Sequence, residues 1–289
     1  MIMVCKNKKY TKGAMVKQLP GDIVRIKFLK EDFNYKAGQY AFICIPKISV
    51  FEWHPFSFSS SPHDKFVTLH VRALGNWTKQ LYKKVGSTKD QHWSIMLHGP
   101  YGLTEIDVDG PRYKIFLLFT GGIGITPMQS IANELFYQST HGRDIIKIIF
   151  VWSVREIEMV NDVLKFDEEF LQKAAKKRLP IAFQPDTLVK DDLNTGVLET
   201  YCHLTKMKAE NSMVFRTVDE SKHRYLKYER PNIKEYFEMA KDLAAKHKQS
   251  EVAVLVCGPG PLSTECRDMA YKCSGNGIKF DYHSEVFEF

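Results

Sequence analysis

The second half of the sequence alternates between strand-like and helix-like patterns. The apolar run KIFLLFT leads into a glycine-rich turn, which is followed by an amphipathic stretch (PMQSIANELFYQ) and another apolar run (IIKIIFVW). The order strand, turn, helix, strand predicts a parallel sheet, because parallel strands need a long crossover connection. A later run, EVAVLVCGP, precedes the helix-like PLSTECRDMAYKC and extends this pattern to the end of the chain.

The first half has a different pattern. Between Asp22 and Arg72, short β-branched and aromatic runs alternate with turn signals, which predicts a small antiparallel barrel or sandwich. The change near Gly110-Pro111 predicts a barrel domain over residues 1–110 and an α/β domain over residues 111–289. The polar stretch from His203 to Arg230 predicts a flexible insertion in the second domain.

Composition narrows the functional classes. A chain of 289 residues with 44% apolar content fits two globular domains and argues against overall disorder. The net charge of +7 suits an anionic cofactor, an anionic membrane surface or nucleic acid, and charge alone does not choose among them. The apolar runs are far shorter than the roughly 20 residues that span a bilayer, so the chain as given is expected to be soluble.

The six cysteines predict neither a disulfide framework nor a metal site. They form no C-x-x-C pair, and no histidine spacing suggests zinc or iron-sulfur ligation. The cluster Lys6, Lys8 and Lys9 leaves no room for an uninterrupted hydrophobic signal region. Free thiols in a cytosolic protein, without a bound metal, are therefore expected.

The turn Gly121-Gly122-Ile123-Gly124-Ile125-Thr126-Pro127 follows a strand and opens a helix. Such glycines let backbone N–H groups approach a pyrophosphate. A tight strand-to-helix connection without a ligand would have the same sequence, so that alternative stays open. After the next strand stands Arg155, which suits the 2′-phosphate of NADPH. Glu156 follows it, and a solvated surface arginine is the alternative, so the pattern favours NADPH without excluding NADH.

A second group of motifs suits a flavin. The strand HPFSFSS mixes aromatic and hydroxyl side chains, as a flavin ring with a polar edge requires. It is followed by His70-Val71-Arg72 and by Gly75-Asn76-Trp77-Thr78 at the start of a helix. An arginine and a helix N-terminus together form a second anion site, suited to the pyrophosphate of FAD. Arg72 taken alone would more often be a surface residue.

These motifs resemble a known family when they are taken in order. The segments GQYAFICIPKISVFEWHPFSFSSSP, LHVRALGNWT, GPYG, GGIGITP, VWSVRE, ERPN and VCGPGP resemble the dehydrogenase part of NADPH oxidases and related ferric reductases. The resemblance covers nearly the whole chain. It implies the two-domain fold of ferredoxin-NADP reductases, with an antiparallel FAD-binding β-barrel followed by an α/β NADPH-binding domain.

For the flavin, the resemblance implies a ring site and a phosphate site in the first domain. The Ser57 hydroxyl would lie near the reactive N5 edge, although the family more often has Thr there and Asp at Asn76. The residues implied to line the ring are His54, Pro55, Phe56 and Ser57. Those implied around the FAD phosphates are His70, Arg72, Gly75, Trp77 and Thr78.

For NADPH, the resemblance implies phosphate loops, a 2′-phosphate site and a nicotinamide site. The loops, both counted with the second domain, would be Gly99, Pro100, Tyr101 and Gly102, and Gly121, Gly122, Gly124, Thr126 and Pro127. The 2′-phosphate would meet Arg155 and Arg230. Cys257, Gly258 and Pro259 would lie beside the nicotinamide, and Phe289 would stack over the flavin. Together with Ser57, Cys257 and Phe289 are the expected catalytic residues. Both residues have structural alternatives: Cys257 could be a buried small hydrophobic residue, and Phe289 could anchor the last strand.

The resemblance implies hydride transfer from NADPH to FAD. Single electrons would then pass to a haem in a transmembrane domain of the same protein, absent from this chain, or in a membrane subunit, to reduce oxygen or ferric iron. The expected location is the cytosolic face of a membrane, with cytosolic regulators as further partners and without nucleic acid. The alternatives are a self-contained soluble reductase serving a diffusible acceptor and a non-catalytic flavin-fold module.

Overall fold

In a computed structural model, the described residues are 8–31, 33–102, 107–155, 159, 196–206 and 224–285. They form two six-stranded sheets, one from each half of the chain. The elements of the first sheet and its helix are β1 (Lys8–Leu19), β2 (Ile23–Leu29), β3 (Tyr40–Cys44), β4 (His54–Ser57), β5 (Phe66–Arg72), α1 (Asn76–Ser87) and β6 (His92–Tyr101).

The first sheet is antiparallel and closes into a barrel, which confirms the prediction. Its strand order is β4-β3-β6-β1-β2-β5. The two outer strands meet just beyond β4, where the Ser59 N–H donates to the Thr68 carbonyl at 2.9 Å. Alternate residues of β2, such as Ile26 and Phe28, point into the barrel core, as a period of two requires. Helix α1 adds Trp77 to the same core.

Strand β1 was not predicted, since the sequence pattern was taken to begin at Asp22. It lies in the middle of the sheet, between β2 and β6. The register with β6 shifts between Thr11 and Ala14, and Gly13 at this point has φ +76°. This bulge shifts the alternation of inward and outward side chains, which is regular again from Ala14 to Lys17, so the period of two extends over only a few residues.

The second sheet is parallel throughout, again as predicted, and its order is β10-β9-β8-β7-β11-β12. Helix α2 covers one face, and α3 and α4 cover the other. In the described part of the chain, no helix has the length and apolarity that crossing a bilayer requires. The elements are β7 (Ile115–Gly121), α2 (Ile125–Thr140), β8 (Lys147–Val154), β9 (Leu198–Leu204), β10 (Arg224–Lys227), α3 (Ile233–Lys246), β11 (Glu251–Cys257), α4 (Gly260–Cys273) and β12 (Lys279–Glu285).

The chain reverses its direction of travel across this sheet between β7 and β11. From β7 it adds strands on one side as far as β10, and it then returns to place β11 and β12 on the other side. Loops leaving the carboxyl ends of two such strands diverge, and the crevice between them is where α/β sheets bind ligands. The glycine-rich turn after β7 and Gly258 after β11 both lie at this crevice.

The predicted insertion at residues 203–230 differs from the structure at both ends. Strand β9 continues to Leu204 and β10 begins at Arg224, and the two strands pair in parallel. Residues 207–223, between these strands, lie outside the described part, so the insertion itself stays a prediction. The predicted division at 110/111 falls between β6 and β7 and stays a prediction.

A buried hydrogen-bonded contact joins the two domains, and we call residues 60–64 and the side of α2 that they touch the seam. The Ser61 hydroxyl donates to the Ser130 carbonyl at 2.9 Å, and the Ser130 hydroxyl donates to the Ser60 carbonyl at 2.6 Å. All three serines are buried. His63 stacks on Tyr137, with ring centroids 4.1 Å apart. Because α2 starts at the glycine-rich turn, the seam sets where that turn lies relative to the barrel.

We expect Ser130→Ala to lower the free energy of unfolding by about 1 kcal/mol, since it removes one buried interdomain hydrogen bond. Ser139→Ala is the matched control on the same helix, because its hydroxyl donates to the Phe136 carbonyl of its own helix at 2.7 Å rather than to the other domain. That change should stay within about 0.5 kcal/mol. Urea unfolding measures both variants, and equal losses would contradict a role for Ser130 in the seam.

Candidate functional site

A cavity of about 660 Å³ lies between the two domains, at the crevice of the parallel sheet. Arg72 and Leu74 line it from the barrel domain, and the turn Gly121–Gly124 lines it from the second domain. Further lining residues lie at or just after the carboxyl ends of strands of the parallel sheet: Ser153, Val154, Arg155, Thr205, Arg230, Gly258 and Pro259. The cavity is therefore built where two domains and several strand ends converge.

The glycines of the turn are required by close packing. A Cβ on Gly124 would lie 2.4 Å from the Cys257 carbonyl oxygen, and one on Gly121 would lie 2.6 Å from Pro259 Cδ. Gly258 is as crowded, because a Cβ there would lie 2.9 Å from the Gly121 nitrogen. The loops after β7 and β11 thus touch backbone to backbone. This leaves a surface of main-chain groups next to the start of α2, which suits a pyrophosphate.

Three arginines line the same cavity. Arg155 follows β8, and Arg230 lies between β10 and α3; both are exposed. Arg72 reaches across from β5, since its Nη1 lies 3.8 Å from where a Cβ on Gly122 would be. Guanidinium groups bind phosphates in a bidentate manner, so the cavity suits a ligand with several phosphates. The sequence assigned Arg72 to FAD and the other two to NADPH, and all three lie in one cavity.

A buried histidine anchors the segment that carries Arg230. His203, at the end of β9, has its Nδ1 3.0 Å from the Glu229 carbonyl and its Nε2 2.6 Å from the Tyr236 hydroxyl. Nδ1 therefore donates, and Nε2 accepts from the tyrosine. Burial lowers the pKa of His203, which favours this neutral form. Sequence reasoning missed this residue because it placed His203 in an insertion.

Strand β4 and helix α1 form the candidate flavin wall. The Trp77 ring is buried in the barrel core, with its centroid 4.5 Å from that of His54 and 5.9 Å from that of Phe56. Trp77 thus lies behind β4, and its indole does not line the cavity. Both Trp77 Nε1 and His54 Nε2 are buried without a hydrogen-bond partner among the described residues. Unpartnered buried polar atoms are expected where a polar ligand binds.

His70 supplies another unpartnered atom on the strand that carries Arg72. The Ser59 hydroxyl donates to the Thr68 carbonyl at 2.9 Å, so His70 Nδ1, 2.8 Å from that hydroxyl oxygen, acts as the donor to it. Nε2 is then a buried acceptor with no partner in the described part of the structure. Burial and, secondarily, Arg25 lower the pKa of His70 to about 3. The ring is therefore neutral at physiological pH.

The start of α1 uses its threonine for capping. The Thr78 hydroxyl oxygen accepts the N–H groups of Leu74 and Gly75, each at 3.0 Å, and donates to the Gly75 carbonyl at 3.0 Å. This hydroxyl is therefore engaged within the helix terminus. The main-chain N–H groups that follow Gly75 remain the groups through which this terminus can bind an anion.

The GPYG segment belongs to the barrel, which corrects its expected place among the second domain's phosphate loops. Gly99, Pro100 and Tyr101 end β6, and Tyr101 pairs with Tyr40 of β3. Gly99 has φ +152°, and a Cβ there would lie 3.1 Å from that of Ala41. Gly102 is fixed by the Gln39 amide, which donates to its carbonyl at 2.8 Å. None of the four lines the cavity described above.

The expected catalytic residues lie in three different places. Ser57 is buried at the end of β4, while Phe289 lies outside the described residues. Cys257 is wholly buried beneath Gly124, where burial raises the pKa of its thiol. Cys257 pairs with Glu285 of the neighbouring strand β12. Burial raises the pKa of the Glu285 carboxyl to about 7. Sequence reasoning missed Glu285, since only strand pairing brings it next to Cys257.

Two expected residues of the turn have structural roles. The Thr126 hydroxyl donates to the Ile123 carbonyl at 3.1 Å and so closes the first turn of α2. Pro127 is buried in that same turn, where a missing N–H costs nothing. They shape the glycine-rich turn rather than line the cavity.

Comparison with known proteins agrees with this geometry. A family model for an FAD-binding domain matches residues 8–105, and one for a ferric reductase NAD binding domain matches residues 113–271, more than half of the chain. The chain belongs to the ferric reductase NAD-binding family. It is 28% identical over 284 residues to human NADPH oxidase 3, and 26% identical over 301 residues to the putative respiratory burst oxidase homolog protein G of Arabidopsis thaliana.

Both relatives are longer proteins. Each match covers 93% of this chain, but only 47% of the human protein and 35% of the Arabidopsis protein. Among solved structures, a ferredoxin NADP+ reductase from Neisseria gonorrhoeae with bound FAD and NADP covers 96% of this chain at TM-score 0.59 and 13% identity. This likeness confirms the predicted two-domain fold.

With both domains matched, the chain carries an FAD-binding domain and a ferric reductase NAD-binding domain, so FAD and a nicotinamide dinucleotide are the groups to test against the site. The described residues fit both groups. The crowded glycines leave main chain free for phosphates, and the arginines supply the charge. Among the unpartnered buried atoms, His54 Nε2 belongs to β4 of the candidate flavin wall.

The buried neutral His70 predicts a stability that depends on pH. Its pKa is about 3 in the folded chain and about 6.5 when exposed, so below about pH 6.5 only the unfolded chain gains a proton there. The free energy of unfolding should fall as the pH is lowered from about 7 to about 5. Urea unfolding of cofactor-free protein should show a smaller fall in His70→Gln. An equal fall in both proteins would contradict this assignment.

Gly124→Ala should lower the free energy of unfolding by about 1–3 kcal/mol, since the added Cβ forces the two loops apart. It should also weaken NADPH binding, because the turn moves. Gly260→Ala at the start of α4 is the matched control, since no heavy atom lies within 4 Å of its added Cβ. Urea unfolding and nucleotide titration check both variants, and a stable Gly124→Ala protein with unchanged affinity would contradict the close packing.

Proposed function

We propose that this chain transfers a hydride from NADPH to FAD and then delivers electrons one at a time to a haem. The haem would belong to a transmembrane domain of the same protein or to a membrane subunit, on whose cytosolic side the chain would lie. Oxygen or ferric iron would be the final acceptor. The NADPH oxidase and respiratory burst oxidase names of the relatives support this proposal.

The observation that carries the proposal is the shared cavity. Arg72 on the flavin domain and the glycine-rich turn of the nucleotide domain line this cavity together, and a Cβ added to Gly122 would lie 3.8 Å from Arg72 Nη1. Two dinucleotides bound to these elements would therefore have adjacent pyrophosphates. Direct hydride transfer needs the nicotinamide and flavin rings themselves to come within about 3–3.5 Å, and binding both dinucleotides in one cavity is a precondition for that approach. The division into an FAD domain over 1–110 and an NADPH domain over 111–289 belongs to the same proposal.

When bound, FAD supplies the chemistry, by accepting two electrons together and releasing them singly. The residues of this chain hold the two cofactors in position. We assign the ring wall to His54, Pro55, Phe56 and Ser57, with Trp77 supporting it from behind. Arg72 and the main chain following Gly75 would hold the FAD phosphates, with Thr78 capping the helix and His70 offering its free Nε2 as an acceptor.

On the NADPH side, the main chain of Gly121, Gly122 and Gly124 would hold the pyrophosphate, with Gly258 and Pro259 beside the nicotinamide. Arg155 and Arg230 would bind the 2′-phosphate, and His203 would hold the segment of Arg230 in place. Cys257 would pack beneath Gly124 and support the turn. Phe289 would cover the flavin until the nicotinamide displaces it. In the barrel, Gly99 to Gly102 would shape the flavin side.

The test is NADPH oxidation by the purified chain with excess FAD and ferricyanide as an artificial acceptor. We expect turnover that requires FAD and prefers NADPH to NADH. Arg155→Ala should raise the KM for NADPH by about tenfold or more, because a hydrogen bond to a charged group contributes about 1.5–3 kcal/mol. The KM for NADH should change little, since NADH lacks the 2′-phosphate.

Arg267→Ala is the control, since Arg267 is an exposed arginine on α4 that pairs with its neighbour Asp268. It should leave both Michaelis constants unchanged. Absence of FAD-dependent oxidation of either nucleotide would refute the proposed reaction. Equal effects of Arg155→Ala on both nucleotides would instead refute only the assignment of Arg155.

A further inference from the structure

The barrel domain carries a basic surface that the cofactor cavity does not use. It consists of five exposed lysines on α1, on the segment after it and on the β3–β4 loop: Lys47, Lys79, Lys83, Lys84 and Lys89. Helix α1 contains no acidic residue. We call these five lysines the basic face.

An exposed apolar tip lies beside the basic face. Phe51 is 88% exposed and Val50 is 53% exposed, both in the loop between β3 and β4. The loop is compact, because the N–H groups of Ile48 and Ser49 donate to the Ile45 carbonyl at 2.8 and 3.0 Å. It is also tied to α1, since Lys84 Nζ donates to the Lys47 carbonyl. The basic and apolar groups therefore belong to one ordered surface.

The acidic residues of these segments do not neutralise the lysines. They are Asp90, which pairs with Lys47 at 2.5 Å, and the exposed Glu52. Within the described part of the chain, Lys79, Lys83 and Lys89 have no carboxylate within ion-pair distance. Five lysines against two carboxylates leave a net positive surface. An anionic partner would relieve the repulsion among these charges.

We propose that the basic face and the tip Val50-Phe51 dock on an anionic lipid surface. Lysines close to such a surface are attracted by its negative potential, and their flexible stems lie along the interface while the charges stay in water. An exposed aromatic residue beside them can enter the boundary between headgroups and acyl chains. The combination fits lipid better than nucleic acid, whose phosphates are most often contacted by arginine as well as lysine, and the basic face contains no arginine.

The position of this surface leaves the cofactor cavity open. Leu74, just before α1, lines the cavity, whereas Lys83 and Lys84 lie at the other end of the helix. The rise of an α-helix separates these ends by about 15 Å. A membrane bound at Lys83, Lys84 and the tip would therefore not block nucleotide entry at Leu74. It would lie next to the start of β4, since Phe51 precedes His54 by only three residues.

The experiment is cosedimentation of the FAD-supplemented chain with vesicles of phosphatidylcholine, with and without phosphatidylserine. We expect binding only when phosphatidylserine is present, and weaker binding at higher salt. The double variant Lys83→Glu with Lys89→Glu should bind about tenfold or more weakly. Phe51→Ser should also weaken binding, because it removes the side chain that enters the interface.

Matched controls lie on the second domain. Lys246→Glu with Lys272→Glu makes the same change in net charge at exposed positions, and Tyr271→Ser removes an aromatic residue that is 86% exposed. Both controls should bind vesicles as the unaltered chain does. The proposal would be overturned if the chain did not bind phosphatidylserine vesicles, or if control and test variants lost binding equally. It would also be overturned if the chain bound nucleic acid or another protein through this surface but did not bind the vesicles. The readout needs no NADPH, so it stands apart from the proposed reaction.

Discussion

The hydrogen-bonded seam between residues 60–64 and α2 is the contact on which the cofactor cavity depends. Helix α2 begins at the glycine-rich turn and carries Ser130 and Glu134 against the barrel domain further along. The position of the turn is therefore coupled to the barrel through one rigid helix. Buried hydrogen bonds are directional, so they fix the rotation between two domains more sharply than apolar contacts alone would.

One short segment connects three features of the barrel domain. It starts as β4, the candidate flavin wall, and continues to Ser59, which closes the barrel against Thr68. It then reaches Ser60 and Ser61, which bond Ser130 across the seam. The hydroxyl-rich composition of HPFSFSSSP thus has a structural explanation beyond flavin binding. Serines are needed where main-chain carbonyls of two domains meet in a buried place.

The charge of the cavity comes from arginines, while the nearby histidines are kept neutral by burial. Arg72, Arg155 and Arg230 carry their charge at any physiological pH. His70 and His203 have lowered pKa values, and each makes hydrogen bonds that suit its neutral form. These two histidines thus add no positive charge that varies with pH in the physiological range. The histidines contribute geometry rather than charge.

The amino-acid sequence by itself determined the class of each domain and the elements that carry the glycines and arginines, because period, turn chemistry and helix starts are local properties. The tertiary structure decided which of these meet. Sequence spacing does not reveal that Trp77 lies behind β4 or that His203 holds the segment of Arg230. Each depends on packing between residues far apart in the chain, and β1 itself is defined by its partners β2 and β6.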